Sequence, residues 1–214
     1  MKIKVITAYD KNYENIAKNS QVVLQKYCEK HGYQLCRKII TNFDRPAPWY
    51  KLEAILLEME DDCEYLLWLD ADTLILNTNK KIEEIITNEK FIFISRDKNF
   101  SINSGIFILK NNDYTKDILR KTRDLYSIYN ENHPMGGIFE QAALLHLISK
   151  NYNKIREQIH LVDAHIMNAY DPETKPNFIE NHVNKDSFIL HLPNTRPDSL
   201  RGEIISKYIS KYYK

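Results

Sequence analysis

The chain is poor in the residues that staple, bend or anchor proteins. Its 214 residues include 3 cysteines, 5 glycines and 7 prolines. Cys28, Cys36 and Cys63 are odd in number and lack CxxC spacing. That argues against a disulfide framework or a zinc site and fits a reducing compartment. So little glycine and proline leaves scant room for flexible linkers. No apolar run approaches the roughly 18 residues that a membrane span requires; the longest useful ones are Tyr65–Leu69 and Ile106–Leu109. The opening MKIKVITAYD lacks a small-residue cleavage site and reads as mature structure, not a signal peptide. Charge of one sign is also missing: 30 Lys plus Arg face 29 Asp plus Glu, for a net +1. A protein that holds nucleic acid through a broad basic field needs a clear cationic surplus. Nucleic acid is therefore not an expected partner.

What is present suffices for a core. Hydrophobic residues make up 43% of the chain and aromatics 11%. A chain this long buries roughly 70% of its unfolded surface, and one domain over residues 1–214 is the expectation. The hydrophobic pattern alternates between two periods. Strands are expected at Lys2–Thr7, Tyr33–Ile40, Glu64–Leu69, Phe91–Ser95, Gly105–Lys110, Ile159–Val162 and Phe188–His191. Helical spacing marks Ile16–His31, a segment from Tyr50 through Met59, Lys80–Asn88, Asn112–Tyr129, Phe139–Lys150 and Ser199–Tyr213. Gly32 is placed as a helix C-cap, and Arg45-Pro46-Ala47-Pro48 breaks the pattern. Strands alternating with helices predict an α/β fold, Rossmann-like, with a mostly parallel sheet flanked by helices. Ligands on such sheets sit beyond the carboxyl ends of the strands. The irregular polar stretch Ala164–Asp186 is expected to form an acceptor-side loop or lid.

The most informative string is Leu66-Leu67-Trp68-Leu69-Asp70-Ala71-Asp72-Thr73-Leu74-Ile75. Two acids end a buried strand. At strand spacing, residues two apart point the same way, so Asp70 and Asp72 face a common point. Carboxylates that close repel unless a cation lies between them. Oxygen ligands suit Mg²⁺ or Mn²⁺ bridging to phosphate. A DxD alone is common, and a pair of solvated acids in a turn is its ordinary reading. The buried strand before it is what favours a metal site.

Taken in order, PWYK (48–51), WLDADTLI (68–75) and INSGIFILKN (102–111) resemble the GT-A glycosyltransferases. The resemblance is to the retaining galactosyl- and xylosyltransferase group that includes xyloglucan xylosyltransferases and galactomannan galactosyltransferases. It runs from the first strand through His191. It implies a GT-A fold and a divalent metal, Mn²⁺ or Mg²⁺, held by Asp70, Asp72 and His191 on the diphosphate of a UDP-sugar. An imidazole ligand tilts the choice toward Mn²⁺. A lone His ending a strand is ordinarily a hydrogen-bonded core residue; its order after the DxD favours the ligand role. Asn194 stands where the family usually has Gly, and Asn tolerates the left-handed conformation such a turn needs.

The resemblance further implies that Thr7, Ala8 and Tyr9 lie at the nucleoside, with Tyr9 covering the base. Lys51, Asp70, Ala71, Asn103, Ser104, Asn194 and Arg196 would make the remaining donor contacts, and Arg201 is a further cation in that region. Lys51, at a helix start, would reach the donor phosphate or sugar. In Asn103-Ser104-Gly105, Asn103 would meet the sugar and Gly105 would admit close backbone approach. Glu140 and Asp97 would contact sugar hydroxyls. Gln141 would lie beneath the anomeric carbon and stabilise an oxocarbenium-like state, since a neutral amide is a weak nucleophile.

The expected activity is thus transfer of a hexose or pentose from a UDP-sugar to a glycan or other hydroxyl acceptor. Two alternatives stand beside it. One is a haloacid-dehalogenase-type phosphotransferase, although that motif usually sits on the first strand. The other is a non-catalytic relative that binds sugar nucleotides. With no apolar span, a cytoplasmic protein acting on a cytoplasmic or membrane-surface glycan is expected.

Overall fold

The computed structural model describes residues 1–41, 44–87, 89–97 and 102–213. Its strands are β1 Ile3–Tyr9, β2 Gln34–Ile39, β3 Tyr65–Leu69, β4 Thr73–Ile75, β5 Ile92–Arg96, β6 Ile102–Lys110, β7 Ile159–Val162 and β8 Ile189–His191. Its α-helices are α1 Glu14–His31, α2 Tyr50–Glu58, α3 Asp113–Asp124, α4 Glu140–Ser149, α5 Ile155–Gln158, α6 Ala164–Met167 and α7 Asp198–Tyr212.

Six strands form the central sheet in the order β2-β1-β3-β6-β5-β7. β1 runs parallel to β2 and β3, and β5 runs parallel to β7, while β6 is antiparallel to both its neighbours. The sheet is mostly parallel, with β6 the reversed strand. That reversal has a consequence for the site. The start of β6 lies at the same edge as the carboxyl ends of β1, β3 and β5, so Asn103 and Ser104 join Tyr9, Asp70 and Asp97 there.

Both faces of the sheet are covered, which is why Tyr65-Leu66-Leu67-Trp68-Leu69 reads as an unbroken apolar run. Alternate residues serve alternate cores. Ile3, Val5, Tyr65, Leu67, Leu69, Ile106 and Ile108 pack with α1, α7 and the β4–β8 pair. Ile6, Ala8, Leu66, Trp68, Phe107 and Leu109 pack with α2, α3 and α4. The α1 helix ends where expected, because Gly32 adopts φ 71° and its N–H reaches back to the last carbonyls.

Three expectations need correction. The segment Lys80–Asn88 is not an α-helix; only Ile82–Glu84 forms a 3-10 turn, and Asn88 lies outside the described residues. The backbone N–H of Ile82 is instead held by the Tyr33 hydroxyl, a tertiary contact that local periodicity does not encode. The helix after Asn112 stops at Asp124 and tightens into a 3-10 turn at Leu125–Ser127. The strand near Phe188 is not part of the central sheet: β8 pairs antiparallel with β4 in a separate two-stranded ribbon, with Thr73 opposite His191.

Candidate functional site

The β4–β8 ribbon is what brings His191 to the acid pair. Asp70 follows β3 and Asp72 precedes β4, so the two belong to a tight turn and not to one pleated strand. The turn is fastened by Thr73, whose N–H and hydroxyl both donate to the Asp70 carbonyl, at 3.2 and 2.7 Å. The outcome is the one expected, through a different geometry. One ligand atom from each of Asp70, Asp72 and His191 lies within 4.8 Å of the other two.

Each of these side chains is held by neighbours. Asp70 Oδ1 accepts from Trp68 Nε1 at 2.7 Å and pairs with Lys51 Nζ at 3.0 Å. Asp72 is buried. Burial alone would raise its pKa, but hydrogen bonding and charge from His191, together with the Arg201 guanidinium, hold it below the ordinary carboxylate value. His191 is buried too, and its Nδ1 donates to Asn168 Oδ1 at 2.8 Å. That assignment follows from the network. Tyr170 donates its hydroxyl to Asp97 at 3.2 Å and accepts from Asn168 Nδ2 at 2.9 Å, which leaves Asn168 Oδ1 for the imidazole. With Nδ1 committed to Asn168, Nε2 is the nitrogen that faces Asp72 Oδ1, at 3.4 Å, and it would give up its proton to bind a cation there. Two carboxylates and an oriented imidazole are a donor set that fits a divalent cation such as Mn²⁺.

Gly105 has a clearer purpose here than close approach to a ligand. A Cβ on Gly105 would lie 2.3 Å from His191 Cε1, so the imidazole occupies the space a side chain would fill.

Beside the acid pair, Lys51 is buried and donates to the Ser104 carbonyl at 2.9 Å, to Asp70 and, at 2.8 Å, to Glu140 Oε1. Burial opposes its charge, but the two carboxylates win and keep the ammonium protonated. Its three donors are thereby committed. Lys51 holds Asp70 and Glu140 together instead of presenting a free cation to phosphate. Glu140, expected at sugar hydroxyls, is likewise committed: Oε1 accepts from Lys51 and from Ser104 Oγ at 2.8 Å. Gln141 Oε1 accepts from the Ser104 N–H at 2.9 Å and lies 3.2 Å from the Ser104 hydroxyl, whose one proton goes to the nearer Glu140. Ser104 therefore sets the position of both residues. Phe139, immediately before them, has φ 49° and ψ −132°, a backbone strained for an L residue; it turns the chain sharply into α4.

These groups line one cleft of about 530 Å³, together with Ala8, Tyr9, Asp10, Ala71, Asp97, Asn103, Asn194 and Arg196. Asp97 meets Asn103 Nδ2 at 3.5 Å, and Asn103 Oδ1 accepts from the Gly105 N–H at 2.8 Å. Asn194 adopts φ 55°, the left-handed conformation expected of it. Arg196 is largely exposed at the rim and pairs with Asp198. Arg201 is buried and shared among the Leu192 carbonyl, the Tyr13 hydroxyl, Asp198 and Asp72. Thr7 is a correction: it is fully buried in β1, does not line the cleft, and its hydroxyl has no hydrogen-bond partner among the described residues. The strand continues to Tyr9, so the loop begins later than the sequence suggested. The segment 164–186 is a correction as well. Met167, Asn168, Ala169, Tyr170 and Asp171 are buried, so its first part is packed support and not a solvated lid. Asn168, Tyr170 and Lys175 were missed as site residues; a run of polar residues without period gives no sign of which face inward.

The architecture is a GT-A glycosyltransferase fold. The structure of a glycosyltransferase involved in the glycosylation of the major capsid of PBCV-1 superposes with a TM-score of 0.76 at 17% identity, covering 97% of this chain and 100% of that one. The chain belongs to the DUF273 family, described as a protein of unknown function, whose model matches residues 24–174. It is also similar to an uncharacterized alpha-1,2-galactosyltransferase of Schizosaccharomyces pombe, at 26% identity over 68% of this chain and 48% of that protein. A probable alpha-1,6-mannosyltransferase of Saccharomyces cerevisiae is 25% identical over 68% of this chain and 46% of that protein. The chain spans about half the length of these curated relatives.

Proposed function

We propose that the chain is a metal-dependent retaining glycosyltransferase that moves a hexose or pentose from a UDP-sugar to a hydroxyl of a glycan or other acceptor. The observation that carries this reading is the convergence of Asp70, Asp72 and the oriented His191 in a cleft at the carboxyl edge of a GT-A sheet. The names of the two curated relatives, a galactosyl- and a mannosyltransferase, support sugar transfer and differ in the sugar.

In this reading Asp70, Asp72 and His191 would hold Mn²⁺ or Mg²⁺. When bound, the ion supplies Lewis-acid stabilisation of the charge that builds on the departing nucleoside diphosphate. The chain's own residues do the positioning. Trp68 and Lys51 fix Asp70, Asn168 fixes the imidazole tautomer, and Tyr9 offers an aromatic face to the base. Asp97 and Asn103 face the sugar hydroxyls. Gln141, held by Ser104, lends its amide dipole to the positive charge at the anomeric carbon. The anomeric C–O bond to phosphate breaks as the acceptor oxygen forms its bond from the same face, and the acceptor's proton passes to the leaving phosphate oxygen.

The test is turnover of UDP-sugars with Mn²⁺, with and without EDTA, by wild type and Asp72→Asn. The reading expects EDTA-sensitive release of UDP and a product of retained anomeric configuration, both lost in the variant. Full transfer by Asp72→Asn would overturn it.

A further inference from the structure

Lys175 stands out when the charges of the cleft are paired off. Among the described residues, four cations line it: Lys51, Lys175, Arg196 and Arg201. Lys51 is bound to Asp70 and Glu140, Arg196 to Asp198, and Arg201 to Asp72 and Asp198. Among the described residues, no carboxylate lies within ion-pair distance of Lys175, whose ammonium instead sits 5.9 Å from the centre of the Phe178 ring.

The backbone that presents it is firmly built. Asp171 Oδ1 caps the N–H groups of Glu173 and Thr174, both at 3.1 Å, and Asp171 Oδ2 accepts from the Tyr208 hydroxyl at 3.0 Å. The Lys175 N–H donates to the Asp171 carbonyl at 3.0 Å, and the Lys175 carbonyl lies 3.0 Å from His182 Nε2. A half-buried ammonium on a fixed turn is poorly compensated. Burial pushes its pKa below the ordinary value, with Arg201 acting the same way and Asp97 and Asp72 acting against it. An anion entering the cleft would meet a cation already stripped of part of its water, where charge-assisted hydrogen bonds are strong.

We propose that Lys175 is a further binding residue of this cleft, donating to the diphosphate of a nucleoside-diphosphate donor. The proposal rests on the glycosyltransferase reading, because that reading puts a diphosphate beside Asp70 and Asp72. Asp70 and Asp72 are shared between the ion and the cations Lys51 and Arg201, so neither of those cations is free to turn to the diphosphate. Among the described residues, Lys175 is the cleft cation not already neutralised by a carboxylate.

The experiment compares wild type, Lys175→Met and Lys175→Arg without any acceptor. UDP affinity is measured by calorimetry at saturating Mn²⁺, and Mn²⁺ affinity alone by electron paramagnetic resonance. Thermal unfolding verifies that each variant folds. Lys175→Met is expected to weaken UDP roughly ten- to hundredfold, as loss of a hydrogen bond to a charged group does. Its Mn²⁺ affinity should match wild type, and Lys175→Arg should recover most of the UDP affinity. Unchanged UDP affinity in Lys175→Met overturns the proposal. So does a parallel fall in Mn²⁺ affinity, which would mark a general structural role. A wild type that binds Mn²⁺ but no nucleoside diphosphate overturns the glycosyltransferase reading beneath it as well.

Discussion

Gly105 and His191 share one small volume: the bare Cα of the glycine leaves room for the imidazole, and a methyl group there would press to 2.3 Å from Cε1. Gly105→Ala must therefore displace the ring or the start of β6. Overpacking of this kind costs about 1–3 kcal/mol, and Mn²⁺ affinity is expected to fall at least tenfold. Calorimetric Mn²⁺ titration beside urea unfolding measures both. Native Mn²⁺ affinity in the variant would overturn the expectation that the imidazole is what gives way.

Asn168 sits behind the proposed site without touching the place an ion would take. Its Oδ1 accepts from His191 Nδ1 while its Nδ2 is held by Tyr170. Asn168→Leu would free the imidazole to rotate or change tautomer. Loss of such a supporting partner typically lowers metal affinity 10–100-fold. The expected kinetic signature is a raised Mn²⁺ requirement for sugar transfer, with activity partly restored at high Mn²⁺.

Lys51 joins two acids in the interior. Lys51→Met would leave Asp70 and Glu140 facing one another without their shared cation. Breaking a buried pair from one side costs about 3–5 kcal/mol, readable as a lowered midpoint in urea unfolding. Lys51→Met combined with Glu140→Gln should be less destabilised than Lys51→Met alone, since one stranded charge is gone. Equal stability of wild type and Lys51→Met would contradict the buried-cation role.

Acid sensitivity is expected from a cluster that does not line the cleft. Glu58 pairs with Lys4 and with Lys38, each at 2.8 Å. Burial would raise the Glu58 carboxyl, but Lys38 and Lys4 outweigh it and hold the pKa at about 2, against an ordinary value of 4.5. A depressed folded-state value means that the stabilisation is complete above pH 4.5 and fades as pH falls toward about 2. Denaturant unfolding of wild type and Glu58→Gln should differ most near neutrality and converge in acid. A gap that widens in acid would reverse the assigned sign.

Much of the architecture was legible because it rests on local rules. Strand β3 was visible as a run buried on both faces, α1 as a 3.6-residue stripe closed by Gly32, and the acid pair as polar residues ending that buried strand. The antiparallel insertion of β6 was not legible, because pairing direction is decided by partners distant in the chain. The same holds for Lys80–Asn88, where helical spacing was present but the Ile82 N–H is held by the Tyr33 hydroxyl, a partner distant in the chain.

The candidate site divides along the same line. Asp70, Asp72, Asn103, Gln141 and His191 could be singled out by residue type and order, since each sits where a strand or helix begins or ends. Whether a charge is spent or free could not. Lys51, Arg201 and Lys175 are alike as basic residues in a sequence. Only the packing of α2 against β6, of α7 against the β4–β8 ribbon and of the 171–175 turn against α7 distinguishes them. By itself the sequence determined the alternating α/β order and the acids at the sheet edge, because hydrophobic period and strand ends are properties of neighbouring residues. The tertiary structure alone decided which cations are neutralised, which nitrogen of His191 faces Asp72, and why Gly105 is glycine. Those depend on distances between residues far apart in the chain.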